Sequence, residues 1–83
     1  MTSSGTVALK EVWSMLGRCA PGHRRQERDH HWCIYFQNRT YPTFPRGEHG
    51  ARKNPEIQIG HVRKMARHLG ILDCAREQLP QLC

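Results

Sequence analysis

Two adjacent histidines open the most apolar run of this 83-residue sequence, in the stretch RDHHWCIYF at residues 28–36. An imidazole group accepts or donates a proton near neutral pH, so a histidine can act as a general acid or base without special burial. Cleaving RNA needs little more than such a group and positive charge against the phosphate. Guanidinium groups match phosphate geometry, and four arginines lie near the first histidine, His30, along a predicted hairpin: Arg24, Arg25, Arg28 and Arg39. A second basic set follows with Lys53, Lys64 and Arg67. Alternatively, His30 is a solvated residue at the end of a strand.

The same region offers metal binding as a second kind of chemistry. Cys19 and His23 form a C-x₃-H pair, and His31 and Cys33 form an H-x-C pair. These four residues are of the types that bind zinc, but their spacing is not a standard zinc pattern. Cys33 also fits the role of a small core residue. We therefore expect no metal and no cofactor.

The charge of the chain is positive and uneven. The sequence holds 13 Lys and Arg against 7 Asp and Glu, for a net charge of +6. Residues 18–67 carry eleven of the basic groups and four of the acidic ones, so the flanks together are slightly acidic. A positive middle favours a polyanionic partner, most commonly nucleic acid. The alternative is a solvated surface that keeps a small domain soluble.

Size and targeting signals limit the other function classes. Eighty-three residues make one domain over residues 1–83, too small to enclose a large cofactor. The first ten residues do not resemble a signal peptide, and no apolar run is long enough to span a membrane. We therefore expect a cytoplasmic protein whose four cysteines are free thiols rather than a disulfide framework: Cys19, Cys33, Cys74 and Cys83.

The elements that must position these residues begin with a helix. Residues 1–5 are expected to form a flexible lead, after which Thr6 can cap a helix of about three turns. Its apolar positions recur at i, i+3, i+4 and i+7: Leu9, Val12, Trp13 and Leu16. Either Gly17 or the break at residues 20–22 ends it.

Three strands follow the first helix. Residues 23–29 fit an exposed edge strand, and residues 31–36 form the strongest strand of the sequence because they are aromatic and β-branched. A tight turn at Asn38-Arg39 leads to a return strand at 40–45. Its two prolines place this strand at a sheet edge or end it early. Neighbouring side chains on a strand face opposite ways, so His30 and His31 are expected not to act together.

The sequence after residue 45 predicts a loop and two helices. Residues 46–58 read as a loop with a short extended end. An apolar stripe then marks a helix through Val62, Met65, Ala66 and Leu69, and Gly70 follows as its C′ residue. Asp73 can cap a final short turn that Pro80 stops.

Several of these segments resemble one family. KEVWSMLGR (10–18), RDHH (28–31), PTFPRG (42–47) and IGHVRKMARHLGI (59–71) are similar, in order and spacing, to the HicA family of small toxins. That family consists of ribosome-independent mRNA interferases paired with HicB antitoxins. His30 falls on the histidine of the family's Gly-Ser-His motif, with Arg28-Asp29 in place of Gly-Ser.

The resemblance implies both a fold and an activity. The expected fold is α+β, an α-β-β-β-α two-layer sandwich similar to a double-stranded-RNA-binding domain, with the family-like core at residues 6–71. Residues 72–83 would be a short C-terminal helical extension. The expected activity is metal-independent cleavage of mRNA with His30 as the general acid/base, blocked by a HicB-like antitoxin. Two alternatives remain: an RNA-binding module of the same fold that does not cut, and a structural protein whose basic face meets an acidic protein.

Overall fold

The computed structural model describes residues 5–46 and 55–82. In that part of the chain, three α-helices and two antiparallel sheets build an α+β fold. The strands are β1 (Thr6–Ala8), β2 (Arg24–Glu27), β3 (His31–Phe36), β4 (Arg39–Pro45) and β5 (Glu56–Gln58). The helices are α1 (Leu9–Cys19), α2 (Ile59–Leu69) and α3 (Leu72–Gln78), and a short 3₁₀ helix follows at Pro80–Leu82. None of the helices in the described ranges is long and apolar enough to cross a membrane.

The three-stranded sheet has the order β2-β3-β4. This confirms the predicted meander, with β3 over the predicted residues and both neighbours at an edge. The β3–β4 turn is Gln37-Asn38, because Phe36 pairs with Arg39. The predicted turn at Asn38-Arg39 is therefore one residue too late. Gln37 takes the left-handed conformation, with a φ of 56°, as a two-residue hairpin turn requires.

A bulge in β4 lets this proline-containing strand contribute to the core. Trp32 pairs with Phe44 and Ile34 with Tyr41, so β4 has one residue more than β3 across this interval. An extra residue shifts the alternation of side chains. Tyr41 and Phe44 are three residues apart, yet both are buried in the same core. The bulge also removes Pro42 from the regular ladder, where its missing amide hydrogen would leave a gap.

The second sheet is a short ribbon formed by β1 and β5. Its central pair, Val7 and Ile57, is buried. Just beyond the strands, the Leu9 amide donates to the Pro55 carbonyl over 2.8 Å. The ribbon therefore lies directly at the start of α1 and α2.

Thr6 lies in this ribbon and does not cap α1, so the predicted cap is wrong. Its hydroxyl donates to the Glu56 carboxylate across the ribbon, and Ala8, without a side-chain cap, precedes the helix. The helix itself is confirmed, and it ends at Cys19, at the break at residues 20–22 that was one of its two predicted ends. Sequence periodicity marked the helix face but carried no sign of the strand before it.

The helices bury the faces that the sequence predicts. In α2 the apolar stripe is buried and Gly70 ends the helix in the left-handed conformation, with a φ of 78°. α1 and α2 each follow a three-residue strand and each have 11 residues. Buried residues recur at a constant offset in the two units, as with Val12 and Val62 or Met15 and Met65. The chain thus contains two similar strand–helix units that its sequence does not reveal as a repeat.

The C-terminal extension is helical, as predicted, and is part of the core. Ala75, Leu79 and Leu82 are buried with the residues of α1 and α2. The Arg63 guanidinium donates to the Leu82 carbonyl over 3.1 Å. Asp73 lies in the first turn of α3 and makes no capping hydrogen bond, so that predicted cap is wrong.

A disulfide joins Cys19 to Cys74, which makes the prediction of free thiols wrong for these two residues. The packing of α3 against the end of α1 brings their Cα atoms to 5.7 Å, within the range for a disulfide. Periodicity cannot show this approach, because 55 residues separate the two cysteines. Cys33 is a buried free thiol, and Cys83 lies outside the described residues.

The disulfide should stabilise the fold by closing a long loop of the unfolded chain. We expect Cys19→Ser, Cys74→Ser and the double variant each to lose about 2–4 kcal/mol of unfolding free energy, without additivity. Urea denaturation followed by circular dichroism measures the loss. Wild-type protein under reducing conditions serves as the matched control and should unfold at the same urea concentration as the variants. An unfolding midpoint that reduction leaves unchanged would show that the bond contributes nothing.

Candidate nucleic-acid interface

His30 lies in the tight turn between β2 and β3, not on a strand. The Arg28 amide donates to the His31 carbonyl over 2.7 Å, which leaves Asp29 and His30 as the two turn residues. Because His30 precedes the strand, alternation does not separate it from His31. Both histidines are exposed and line one open depression, contrary to our expectation that they could not act together. We call it the histidine depression; it is lined by Glu27, Arg28, Asp29, His30, His31 and Arg46.

Arg46 braces this turn. Its guanidinium donates to the Asp29 carbonyl over 2.8 Å and pairs with the Glu27 carboxylate at 2.6 Å. The residue reaches the turn because Pro45, at the end of β4, pairs with His31. Sequence reasoning missed Arg46; pairing the predicted strands from their turn would have placed it near the histidines.

The histidine depression is balanced in charge when its imidazoles are neutral. Two carboxylates and two guanidinium groups line it. One of these guanidinium groups, on Arg46, is already paired with Glu27. A phosphate held here therefore gains little from the local charge, and stronger attraction must come from neighbouring residues.

The two faces of the sheet differ in chemistry. Ile34 and Phe44 belong to the core formed with the helices, so their side of the sheet is the inner face. Because paired residues share a face, the register places the opposite set on the outer face. We define the outer face by Arg24, Gln26, Arg28, His31, Cys33, Tyr35 and Thr40. In the described chain it carries no carboxylate.

A hydrogen-bond network holds the middle of the outer face. The Tyr35 hydroxyl donates to the Gln26 side-chain oxygen over 3.1 Å, and the Arg28 guanidinium donates to the same oxygen over 3.3 Å. The hydrogen bond from Arg28 to Tyr35 raises the pKa of the guanidinium further above its usual value. Since both partners are neutral, the charge of Arg28 remains uncompensated within this network.

A second depression adjoins the network and is lined in part by two arginines. Its lining consists of Gly22, Arg24, Arg25, Gln26, Tyr35 and Gln37. Arg24 contributes its guanidinium group from the outer face, whereas that of Arg25 lies against the Trp13 ring on the inner side. The depression has no carboxylate in its lining. We call it the tyrosine depression.

The four predicted phosphate-binding arginines do not form one patch. Arg25 is on the inner side of β2, and its guanidinium lies 4.4 Å from the centre of the Trp13 ring. Arg39 donates to the His68 carbonyl at the end of α2 over 3.0 Å. That carbonyl is one of the unpaired acceptors that every helix end leaves. Arg24 and Arg28 are the two that lie on the outer face.

The other predicted basic residues lie elsewhere. Lys64 and Arg67 are exposed on α2, and Lys53 lies outside the described residues. α2 packs against β4 on the inner side of the sheet. Lys64 and Arg67 are therefore separate from the outer face.

The four candidate zinc ligands do not assemble either. Cys19 is in the disulfide, and the His23 Nδ1 atom lies 2.9 Å from the Ala20 carbonyl oxygen. In the ranges that the structure describes, no group of three or more His, Cys, Asp or Glu side chains is placed to bind a metal ion.

Comparison of the chain with protein-family models, with curated proteins and with solved structures gives no match. Its function must therefore be argued from the residues and their arrangement.

Neighbouring arginines on β2 give a matched test of the two faces. Arg25→Gln should lose about 0.5–1 kcal/mol of unfolding free energy, because it removes the cation–π contact with Trp13. Arg24→Gln, on the outer face, should leave stability within about 0.5 kcal/mol of wild type. Urea denaturation monitored by tryptophan fluorescence measures both. Equal losses would contradict the assignment of the two arginines to opposite faces.

Proposed function

We propose that this protein is a metal-independent endoribonuclease of the HicA type, the toxin of a toxin–antitoxin pair, with His30 as its general acid/base. One observation supports it most: an exposed histidine lies in a tight turn held by Arg46, beside Arg28 and at the end of the sheet face that carries Arg24. The α+β fold is compatible with the sandwich similar to a double-stranded-RNA-binding domain that the resemblance implies.

The proton transfers of the proposed reaction use only a histidine and the hydroxyl groups of the RNA. His30 takes the proton from a ribose 2′-hydroxyl, and the resulting oxygen attacks the adjacent phosphorus. The bond from phosphorus to the 5′ oxygen breaks, and that oxygen receives a proton from the imidazolium. The products are a 2′,3′-cyclic phosphate and a free 5′-hydroxyl. The guanidinium of Arg28 stabilises the charge that develops on the phosphate oxygens.

A second candidate is an RNA-binding module that does not cut. The charge balance of the histidine depression favours it, because phosphate attraction is concentrated instead at the tyrosine depression. The replacement of Gly-Ser by Arg28-Asp29 points the same way. The two candidates differ in whether His30 matters for anything besides binding.

Substitution of His30 separates the two candidates. His30→Ala should lower the cleavage rate by about 10²–10⁴-fold, because a general acid/base is lost. Circular dichroism and RNA affinity should stay nearly unchanged. A single-turnover assay on labelled mRNA, with EDTA present, measures the rate. His61→Ala removes another exposed histidine, on α2, and is the matched control, expected to cleave at the wild-type rate.

The same assay can contradict the proposal that the protein is a ribonuclease. His31→Ala should cost less than His30→Ala, and a reversed order would assign the proton transfer to His31. Full activity in both variants, or no cleavage by wild type, would leave the binding module. Loss of wild-type cleavage in EDTA would contradict metal independence.

The proposed toxin requires a partner that blocks it. A HicB-like antitoxin should cover His30 and the outer face, presenting carboxylates toward Arg24 and Arg28. Opposite charges speed association, and the rate should fall as salt is raised.

Co-purification with the product of the adjacent gene tests this partner. We expect a stable complex that no longer cleaves mRNA, and an association rate that decreases between low and physiological salt. Arg24→Gln should slow association, whereas Arg76→Gln on α3 should not. A bound partner that leaves cleavage at full rate would place the active site elsewhere.

A further inference from the structure

We infer that the outer face binds single-stranded RNA, with an unpaired base stacked on Tyr35 in the tyrosine depression. This inference rests on the proposed RNA substrate and specifies its form and its position. It differs from what the likeness to a double-stranded-RNA-binding domain implies, because the ligand of such a domain is a duplex.

Charge identifies the occupant as a polyanion. Arg24 and Arg28 lie on the outer face, and no carboxylate of the described chain shares that face. Arg24 lies opposite Tyr35 in the register of β2 and β3, and the Arg28 guanidinium reaches the Tyr35 hydroxyl from the far end of β2. A nucleic-acid backbone passing over Tyr35 would have one phosphate partner beside the stacked base and a second toward the histidine turn.

The ring of Tyr35 is suited to stacking because it is held in place. Its hydroxyl is fixed by Gln26, which is also bound by Arg28. Tyr35 is half-buried and contributes to the wall of an open depression. An immobilised ring loses little entropy when a base stacks on it, and stacking of this kind favours unpaired bases of any sequence. In a duplex, the bases are already stacked within the helix and are not available.

The position of Tyr35 also relates the stacked base to the histidines along β3. Tyr35 and His31 are on the same face of β3 and four residues apart, which corresponds to about 13 Å along a strand. A few nucleotides of an extended strand cover that distance. A base anchored at Tyr35 would therefore place a fixed phosphate of the same strand at the histidine depression.

Binding to a short single-stranded oligoribonucleotide with one 2-aminopurine tests the inference. The His30→Ala variant is used as the parent, so that cleavage does not disturb the measurement. We expect 2-aminopurine fluorescence to be quenched on binding. Tyr35→Leu should weaken affinity about 5- to 150-fold and abolish the quenching. Tyr35→Phe keeps the ring but loses the hydroxyl that Gln26 holds, so it should keep the quenching and lose less affinity than Tyr35→Leu.

Salt dependence and competition give independent readouts. Arg24→Gln should reduce the slope of log affinity against log salt by about 0.7, whereas Arg76→Gln on α3 should leave the slope unchanged. A duplex of the same sequence should compete poorly with the single strand. Thermal unfolding of each variant controls for folding.

The outcomes separate this inference from the proposed function. If Tyr35→Leu binds as tightly as the parent, or the duplex competes as well as the single strand, the inference is wrong. It is wrong even if His30→Ala abolishes cleavage. If Tyr35→Leu weakens single-strand binding while no version of the protein cleaves RNA, the outer-face site stands and the ribonuclease does not.

Discussion

The pairing of β1 with β5 fixes the position of both long helices. Val7 and Ile57 are buried against each other from positions 50 residues apart, so hydrophobic burial closes a long loop at an entropic cost that grows only slowly with its length. The Ile59 amide donates to the Gly5 carbonyl over 3.2 Å. Both helices start from this ribbon, and the core that they form supports the inner face of the three-stranded sheet.

Packing against that core decides which basic residues remain free. On the inner face, Arg25 packs against the Trp13 ring and Arg39 donates a hydrogen bond to the end of α2. These two arginines therefore stabilise the protein itself. The outer face keeps Arg24 and Arg28, and the hydrogen-bond partners of Arg28 there are neutral. The sequence alone does not distinguish these four arginines. Their roles differ because two lie on the inner face of the sheet and two on the outer face.

Local patterns in the sequence were sufficient to predict the elements that bury one regular face. The apolar stripe of α2, its glycine stop and the aromatic run of β3 were all predicted, because each has a periodicity that a short window shows. The β1–β5 pairing and the Cys19–Cys74 disulfide were not, since both join distant segments. The bulge at Pro42 was also missed, and it changes which residues of β4 are buried. At the candidate site, His30 was found by residue type, whereas Arg46 depends on strand register.

The two ends of the described chain meet the same helix. Gly5 accepts a hydrogen bond from the first residue of α2, and the Leu82 carbonyl accepts one from Arg63, a single helical turn later. Ends this close can be joined by a short linker, and exposed connections tolerate new termini. The exposed Pro21-Gly22 connection, at the other end of β2 from the turn that carries His30, is a place to open such a circular permutant. In that permutant β2, β3 and β4 would precede both strand–helix units in the chain, so the meander would be synthesised before the ribbon that supports it.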